Sequence, residues 1–147
     1  MRVFFQKFIF LTTVLLLQSS IYSQEESNDI WEAAATGNID RLEELFSNNN
    51  SLVNAIDTSG SSPLHHAAWN GKIETMKWLI NNKADIEFQN NLNWSPLHWA
   101  TRNGQIQSVR LLLDNNAKVN LQGNLNQTAL HLAVKHNYEK IVTVLLN

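Results

Sequence analysis

The sequence predicts an all-α fold, an α-solenoid of four stacked helix-turn-helix units with short hairpin loops. Two features point to this fold. A four-residue string recurs every 33 residues, as Ser62-Pro63-Leu64-His65, Ser95-Pro96-Leu97-His98 and Thr128-Ala129-Leu130-His131. An apolar run with helical spacing follows each string. A period of this length is typical of repeat proteins, in which each unit packs against its neighbours.

Each string predicts the start of a short first helix. Ser and Thr can cap a helix N-terminus, and Pro is tolerated at the first helical position because its missing N–H would have been unpaired there. Gly71, Gly104 and Asn137 lie nine residues after the three capping residues. Gly and Asn tolerate the left-handed backbone that ends a helix, so the first helix should be about two turns long.

A second helix is predicted after each of these stops. Its apolar residues are spaced by three and four, along Ile73 to Ile80, Ile106 to Leu113 and Ile141 to Leu146. Turn residues that begin at Asn82 and Asn115 follow the first two runs. The repeating unit is therefore a hairpin, a short helix, a turn and a longer helix.

This unit resembles the ankyrin repeat. That family's consensus has Thr-Pro-Leu-His at the start of the first helix, then two small residues (here Ala67-Ala68), a Gly, an apolar second helix and a Gly-Ala-Asp turn. A weaker first unit, with Ala33-Ala34 in register, fits if one extra residue is allowed between Asn48 and Asn54. The resemblance covers about residues 27–147, with repeats at about 27–56, 57–89, 90–122 and 123–147.

The chain departs from the family pattern at one turn position. Lys83 and Asn116 stand where ankyrin repeats place Gly before Ala-Asp. The resemblance therefore implies a left-handed backbone at both residues, which costs more for Lys than for Asn.

Residues 1–23 have the features of a secretory signal peptide. Basic Arg2 and Lys7 precede a ten-residue apolar run from Phe8 to Leu17, and small or polar residues follow it. We expect cleavage between Ser23 and Gln24, which leaves a domain at 24–147 that is secreted or periplasmic. The apolar run is shorter than the ~20 residues of a membrane span, so no stable membrane anchor is expected after cleavage.

Composition argues against several classes of protein. The chain has no cysteine, which excludes disulfides, a Cys-based zinc site and a lipid anchor on Cys. Loss of Arg2 and Lys7 leaves nine basic and thirteen acidic residues, a formal charge of −4, which argues against nucleic-acid binding. Neither a nucleophile elbow nor a phosphate loop nor a His-Glu-x-x-His string occurs. We therefore expect that the protein is not an enzyme and that it binds no cofactor.

The three repeated histidines do not predict a metal site. Stacked units are separated by about a helix-packing distance, ~8–10 Å, whereas each ligand of one zinc ion lies ~2.0–2.1 Å from it. The resemblance implies instead that His65, His98 and His131 hydrogen-bond within the loop framework.

The resemblance implies a binding surface on the concave side, formed by the ends of the first helices and the hairpins. Trp69 and Trp94 are its candidate anchors, since Trp and Arg are enriched in interfaces, and both are expected outside the core between units. Trp99 is either part of this surface or a wedge between units, whereas Trp78 is expected in the core. The predicted surface comprises Ser59, Ser61, Trp69, Asn70, Leu92, Trp94, Arg102, Asn103, Leu125, Gln127, Lys135 and His136.

These observations predict a protein that binds another protein of unknown identity. It is alternatively an inhibitor or immunity-like partner of a secreted or periplasmic enzyme or toxin. A structural or stress-protective scaffold, with many weak partners, is another alternative. A metal- or ligand-binding domain is the third, and metal analysis of the purified protein distinguishes it.

Overall fold

The computed structural model describes residues 30–48 and 50–147, and within these ranges the chain is helical and has no strand. Its helices are α1 (residues 30–36), α2 (Ile39–Asn48), α3 (Pro63–Trp69), α4 (Ile73–Asn81), α5 (Pro96–Arg102), α6 (Ile106–Asp114), α7 (Ala129–Lys135) and α8 (Glu139–Leu146). Short 3₁₀ turns span Asn50–Asn54 and Asn124–Asn126. The predicted α-solenoid is confirmed. The predicted signal peptide and its cleavage site lie outside the described residues.

The first helices begin at the predicted capping residues, and a histidine completes each cap. His65 Nδ1 accepts the backbone N–H of Ser62 at 3.1 Å and lies 2.9 Å from the Ser62 hydroxyl oxygen. Its Nε2 lies 2.8 Å from the backbone carbonyl oxygen of Trp94 in the next hairpin. A backbone N–H can only donate and a carbonyl can only accept, so the imidazole is neutral with its proton on Nε2.

The same bonds recur one unit later and confirm the expected role of these histidines. His98 Nδ1 pairs with Ser95, and its Nε2 donates to the carbonyl of Gln127 at 3.1 Å. His131 makes the corresponding bonds to Thr128 within its own unit. Each of the first two imidazoles therefore ties the start of its own helix to the hairpin of the next unit.

The predicted helix stops are also confirmed. Gly71, Gly104 and Asn137 have φ values of +65°, +67° and +56°. Lys83 and Asn116, at the turn after the second helix, have φ values of +72° and +66°. Both non-glycine residues are therefore held in the left-handed region that the resemblance implies.

The core lies between the layer of first helices and the layer of second helices. Alanines such as Ala67 and Ala100 let the first helices approach closely, and buried residues such as Leu79 and Leu112 come from the second helices. The first helices pack against one another more extensively than the second helices do. This closer packing agrees with the resemblance to ankyrin repeats, which places the first helices and the hairpins on the concave side.

Trp78 is less buried than the sequence predicts. Its ring packs edge to face against Phe46, with centroids 4.8 Å apart, and stays partly exposed at the border of the core. A single large side chain in an outer helix has neighbours on one side and solvent on the other. Within the described ranges, no helix is both long and apolar enough to cross a lipid bilayer.

Candidate functional site: an aromatic pocket on the concave face

A pocket of about 410 Å³ lies on the concave side, where the hairpin before α5 meets the ends of α3 and α5. Its walls are Trp69, Leu92, Trp94, Trp99 and Arg102. Four of these residues belong to the surface predicted from the sequence. We call this set the aromatic pocket.

Trp99 both lines the pocket and wedges between units, so both interpretations of it hold in part. Its ring meets Trp69 edge to face, with centroids 5.4 Å apart and planes at 69°. It makes similar contacts with His65 at 5.5 Å and His66 at 5.4 Å. Edge-to-face pairs of this kind stabilise one another beyond the area they bury. The pocket walls are therefore held in place before anything binds.

Trp94 is bound more closely to the next unit than expected. Its ring stacks near His98, with centroids 6.4 Å apart and planes at 14°. Its Nε1 is buried and has no hydrogen-bond partner among the residues that the structure describes, and a Cβ on Gly123 would lie only 2.5 Å from its Cδ1. The expectation that Trp94 lies outside the packing between units is wrong, because the absence of a side chain at Gly123 lets the indole enter that contact.

Arg102 supplies the charge of the pocket. Its guanidinium carbon lies 5.1 Å from the centroid of Trp94, a cation–π distance. The side chain is exposed and forms no ion pair with any residue in the described ranges. Its positive charge is therefore available to a ligand.

A hydrogen-bonded cluster lies beside the pocket, around Asp57. One carboxylate oxygen lies 2.8 Å from His66 Nε2, and the other accepts bonds of 2.7–2.8 Å from Ser59 and Ser61. Burial by itself raises the pKa of Asp57, but the hydrogen bonds from Ser59, Ser61 and His66 outweigh it and lower the pKa overall. The carboxylate is therefore charged and fully engaged.

The cluster does not have the geometry of a catalytic triad. The hydroxyl of Ser59 bonds to the carboxylate of Asp57, whereas a nucleophile would have to bond to the imidazole of His66.

The prediction that Ser61 belongs to the binding surface is corrected by the structure. Ser61 is 0% exposed, and its hydroxyl accepts a bond from Asn90 at 3.0 Å. It stabilises the hairpin and cannot contact a partner.

Two predicted surface residues support the backbone near the pocket. Asn70 and Asn103 end α3 and α5, and both are exposed. The Asn103 amide donates to the carbonyl of Trp69 at 2.7 Å, and the Asn70 amide donates to the carbonyl of His66 at 2.8 Å. These bonds occupy carbonyls at the helix ends, so the asparagines position the wall residues next to them.

The remaining predicted residues lie outside the pocket. Leu125 occupies the position of Leu92 one unit later and is 82% exposed, against 50% for Leu92. Gln127 is partly buried, and its carbonyl holds His98. Lys135 is exposed at the end of α7, and His136 stacks against Tyr138 with centroids 5.7 Å apart. The predicted surface thus contains one pocket and a polar continuation toward α7.

In the part of the chain that the structure describes, no group of three or more His, Cys, Asp or Glu side chains is placed to hold a metal ion. His65 and His98 are each bonded through both ring nitrogens. Both are therefore committed to the framework between units.

Comparison with known families gives one match. A family model described as ankyrin repeats (3 copies) matches the chain over residues 12–90, 30–123 and 82–147. The first range starts within the segment predicted as a signal peptide. Ankyrin repeats are generally protein–protein interaction modules, and proteins built from them are typically non-enzymatic.

Proposed function

Because this chain belongs to the ankyrin-repeat family, we propose that it is a non-enzymatic module that binds another protein through its concave face. The observation that carries the proposal is the aromatic pocket, which combines three Trp residues, a half-exposed Leu and an exposed Arg. Trp and Arg are the residues most enriched among interface hot spots. We propose in addition that the protein acts after export, in a secreted or periplasmic form, which the residue pattern of 1–23 supports.

The physical state of the pocket supports binding. Leu92 stays 50% exposed, and Trp69 and Trp99 are partly exposed, so apolar surface faces water in the free protein. Covering such surface yields roughly 25 cal/mol per Å². The rings already hold one another edge to face, so little side-chain entropy is lost when a partner binds.

The test compares matched substitutions at equivalent positions of two units. Leu92 lines the pocket and Leu125 does not, although both are exposed leucines in the hairpins. We expect Trp69→Ala to weaken binding of an affinity-purified partner by about 2 kcal/mol or more, roughly 30-fold, as for a hot-spot residue. Leu92→Ala should weaken binding clearly more than Leu125→Ala.

The measurement is the dissociation constant for the partner recovered from the native compartment, with circular dichroism to show that each variant is folded. If folded Trp69→Ala and Leu92→Ala bind as tightly as the wild type, the concave face is not the site. The convex side or the hairpin tips then become the candidates.

A further inference from the structure

We propose that the aromatic pocket receives an acidic aromatic peptide segment of the partner protein: one large apolar side chain in the pocket, with a neighbouring carboxylate paired to Arg102. This inference rests on the proposed function and specifies the chemistry of the partner. Three properties of the pocket lead to it: its hydrogen-bonding groups, the ring faces already covered, and the charges around it.

The first property is that the wall side chains offer hydrogen-bond donors and no acceptor. An indole has one N–H donor, a guanidinium has five, and neither accepts; Leu92 has no polar group at all. The N–H of Trp94 is buried, which leaves the donors of Trp69, Trp99 and Arg102. The backbone carbonyls of Trp69, Leu92, Trp94 and Trp99 already accept bonds from other residues. These walls therefore favour an acceptor as the polar group of the occupant, and an ionised carboxylate is acceptor-only.

The second property concerns ring faces. Arg102 lies over the Trp94 ring, and the Trp99 ring makes edge-to-face contacts with Trp69, His65 and His66, each of which covers one ring face of the pair. A sugar ring would need an open indole face together with acceptors for its hydroxyl hydrogens. The cleft instead suits a side chain that inserts between Trp69, Trp99 and Leu92, so an aromatic or large aliphatic residue is the expected anchor.

The third property is the sign of the surrounding charge. Lys135 occupies the position of Arg102 in the next unit and is exposed without an ion pair among the described residues. Two carboxylates in the hairpins are engaged in hydrogen bonds: Asp57 with His66 and two serines, and Glu87 with the backbone N–H of Lys118. Glu74, Asp114 and Glu139 lie on the second helices, in the other layer. Arg102 and Lys135 therefore place two exposed positive charges along this side, although the chain as a whole is acidic.

The spacing of the two cations suggests the register of the peptide. Neighbouring units are about 8–10 Å apart, and an extended chain advances about 3.3 Å per residue. A second acidic residue about three positions beyond the first would therefore reach Lys135. The guanidinium of Arg102 can bind the first carboxylate through two N–H groups, which favours a carboxylate over a single neutral acceptor.

The experiment is a selection from a displayed library of random peptides on the purified full chain, followed by fluorescence anisotropy with two synthetic twelve-residue peptides. Both contain one Trp in a Gly-Ser background. One has Glu directly after the Trp and Asp three residues after that Glu, and the other has Lys at both places. We expect selected peptides to combine an aromatic residue with Asp or Glu, and the acidic peptide to bind at least tenfold more tightly.

Charge variants make the test specific. Arg102→Gln should weaken the acidic peptide about tenfold, as expected for a hydrogen bond to a charged group, and Arg102→Glu should favour the Lys peptide. Arg110, an exposed residue of α6 in the same unit, provides the matched control, and Arg110→Gln and Arg110→Glu should change affinity less than twofold.

The outcomes separate the two proposals. Selection of aromatic peptides without acidic residues, or unchanged affinity of Arg102→Gln, overturns the acidic preference, whereas the concave site stands if Trp69→Ala still weakens the native partner. Stronger binding of the Lys peptide to the wild type likewise overturns the inference. If the native partner binds Trp69→Ala and Arg102→Gln as tightly as the wild type, both proposals fail.

Discussion

Mild acid should destabilise this protein, because its unfolded chain can protonate His65 and its folded chain cannot. His65 is fully buried, and its Nδ1 accepts the N–H of Ser62 while its Nε2 donates to the carbonyl of Trp94. A second ring proton, on Nδ1, would face the N–H of Ser62, and the Ser62 hydroxyl would have to give up its own bond to Nδ1 to accept it. Burial lowers the pKa of His65 from 6.5 to about 4, although the bond to Trp94 acts in the opposite direction.

The direction of the effect follows from the proton balance. Between pH 6.5 and 4 the unfolded chain protonates this imidazole and the folded chain does not, so acid favours the unfolded state. The contribution of the neutral His65 to the free energy of unfolding is fully present above pH 6.5 and is lost as the pH falls toward 4. At 1.36 kcal/mol per pKa unit, the loss is about 3 kcal/mol. Burial also lowers the pKa of His98, which adds in the same direction.

Urea denaturation at several pH values between 7.5 and 4 measures this loss. The matched variant is His65→Gln, which keeps a polar side chain but cannot be protonated. Its free energy of unfolding should fall less steeply than that of the wild type as the pH is lowered. His66→Gln is the control in the neighbouring position, where the ring contacts Asp57 instead. Equal slopes for the wild type and His65→Gln would show that the buried imidazole does not resist protonation.

Three further outcomes are expected. Lys83→Gly should raise the free energy of unfolding by about 1 kcal/mol, because Lys83 has a strained left-handed backbone with φ +72°. Asn116→Gly should raise it less. A lower melting temperature for Lys83→Gly would show that the backbone at Lys83 is not strained. Gly123→Ala should cost about 1–3 kcal/mol by displacing Trp94, and unchanged urea denaturation would show that the indole moves freely. Mass spectrometry of protein from the native cell should find a chain that begins near Gln24, and an intact N-terminus in the cytoplasm would refute export.

The helix starts and stops could be predicted because they are local. A capping Ser and a His three residues later satisfy each other within one turn, and a Gly nine residues after the cap ends the helix in the left-handed region. Such signals lie within ten residues of chain and repeat three times. The stacking of the units then follows, because each unit has apolar surface that it cannot bury alone.

Contacts between units were harder to predict. The packing of Trp94 against Gly123 joins residues 29 positions apart, and the bond of Asn90 to Ser61 also spans 29 positions. Neither contact has a local pattern, so the sequence left Ser61 on the surface and Trp94 outside the packing between units. The sequence left two interpretations of Trp99 open, a surface residue and a wedge between units. Both hold in part, because its ring packs on His65 and also lines the pocket.

Several positions that form the aromatic pocket differ between units. His65, His98 and His131 are identical because each completes the cap of its own helix, and the first two also hold the next hairpin. By contrast, the position after the histidine is His66, Trp99 or Leu132, and the last residue of the first helix is Trp69, Arg102 or Lys135. These differences set the arrangement of anchors and charges along the concave face, although Trp99 also packs between units. Exchange of the side chains at positions 69 and 102 should therefore alter peptide selectivity while leaving the stack intact.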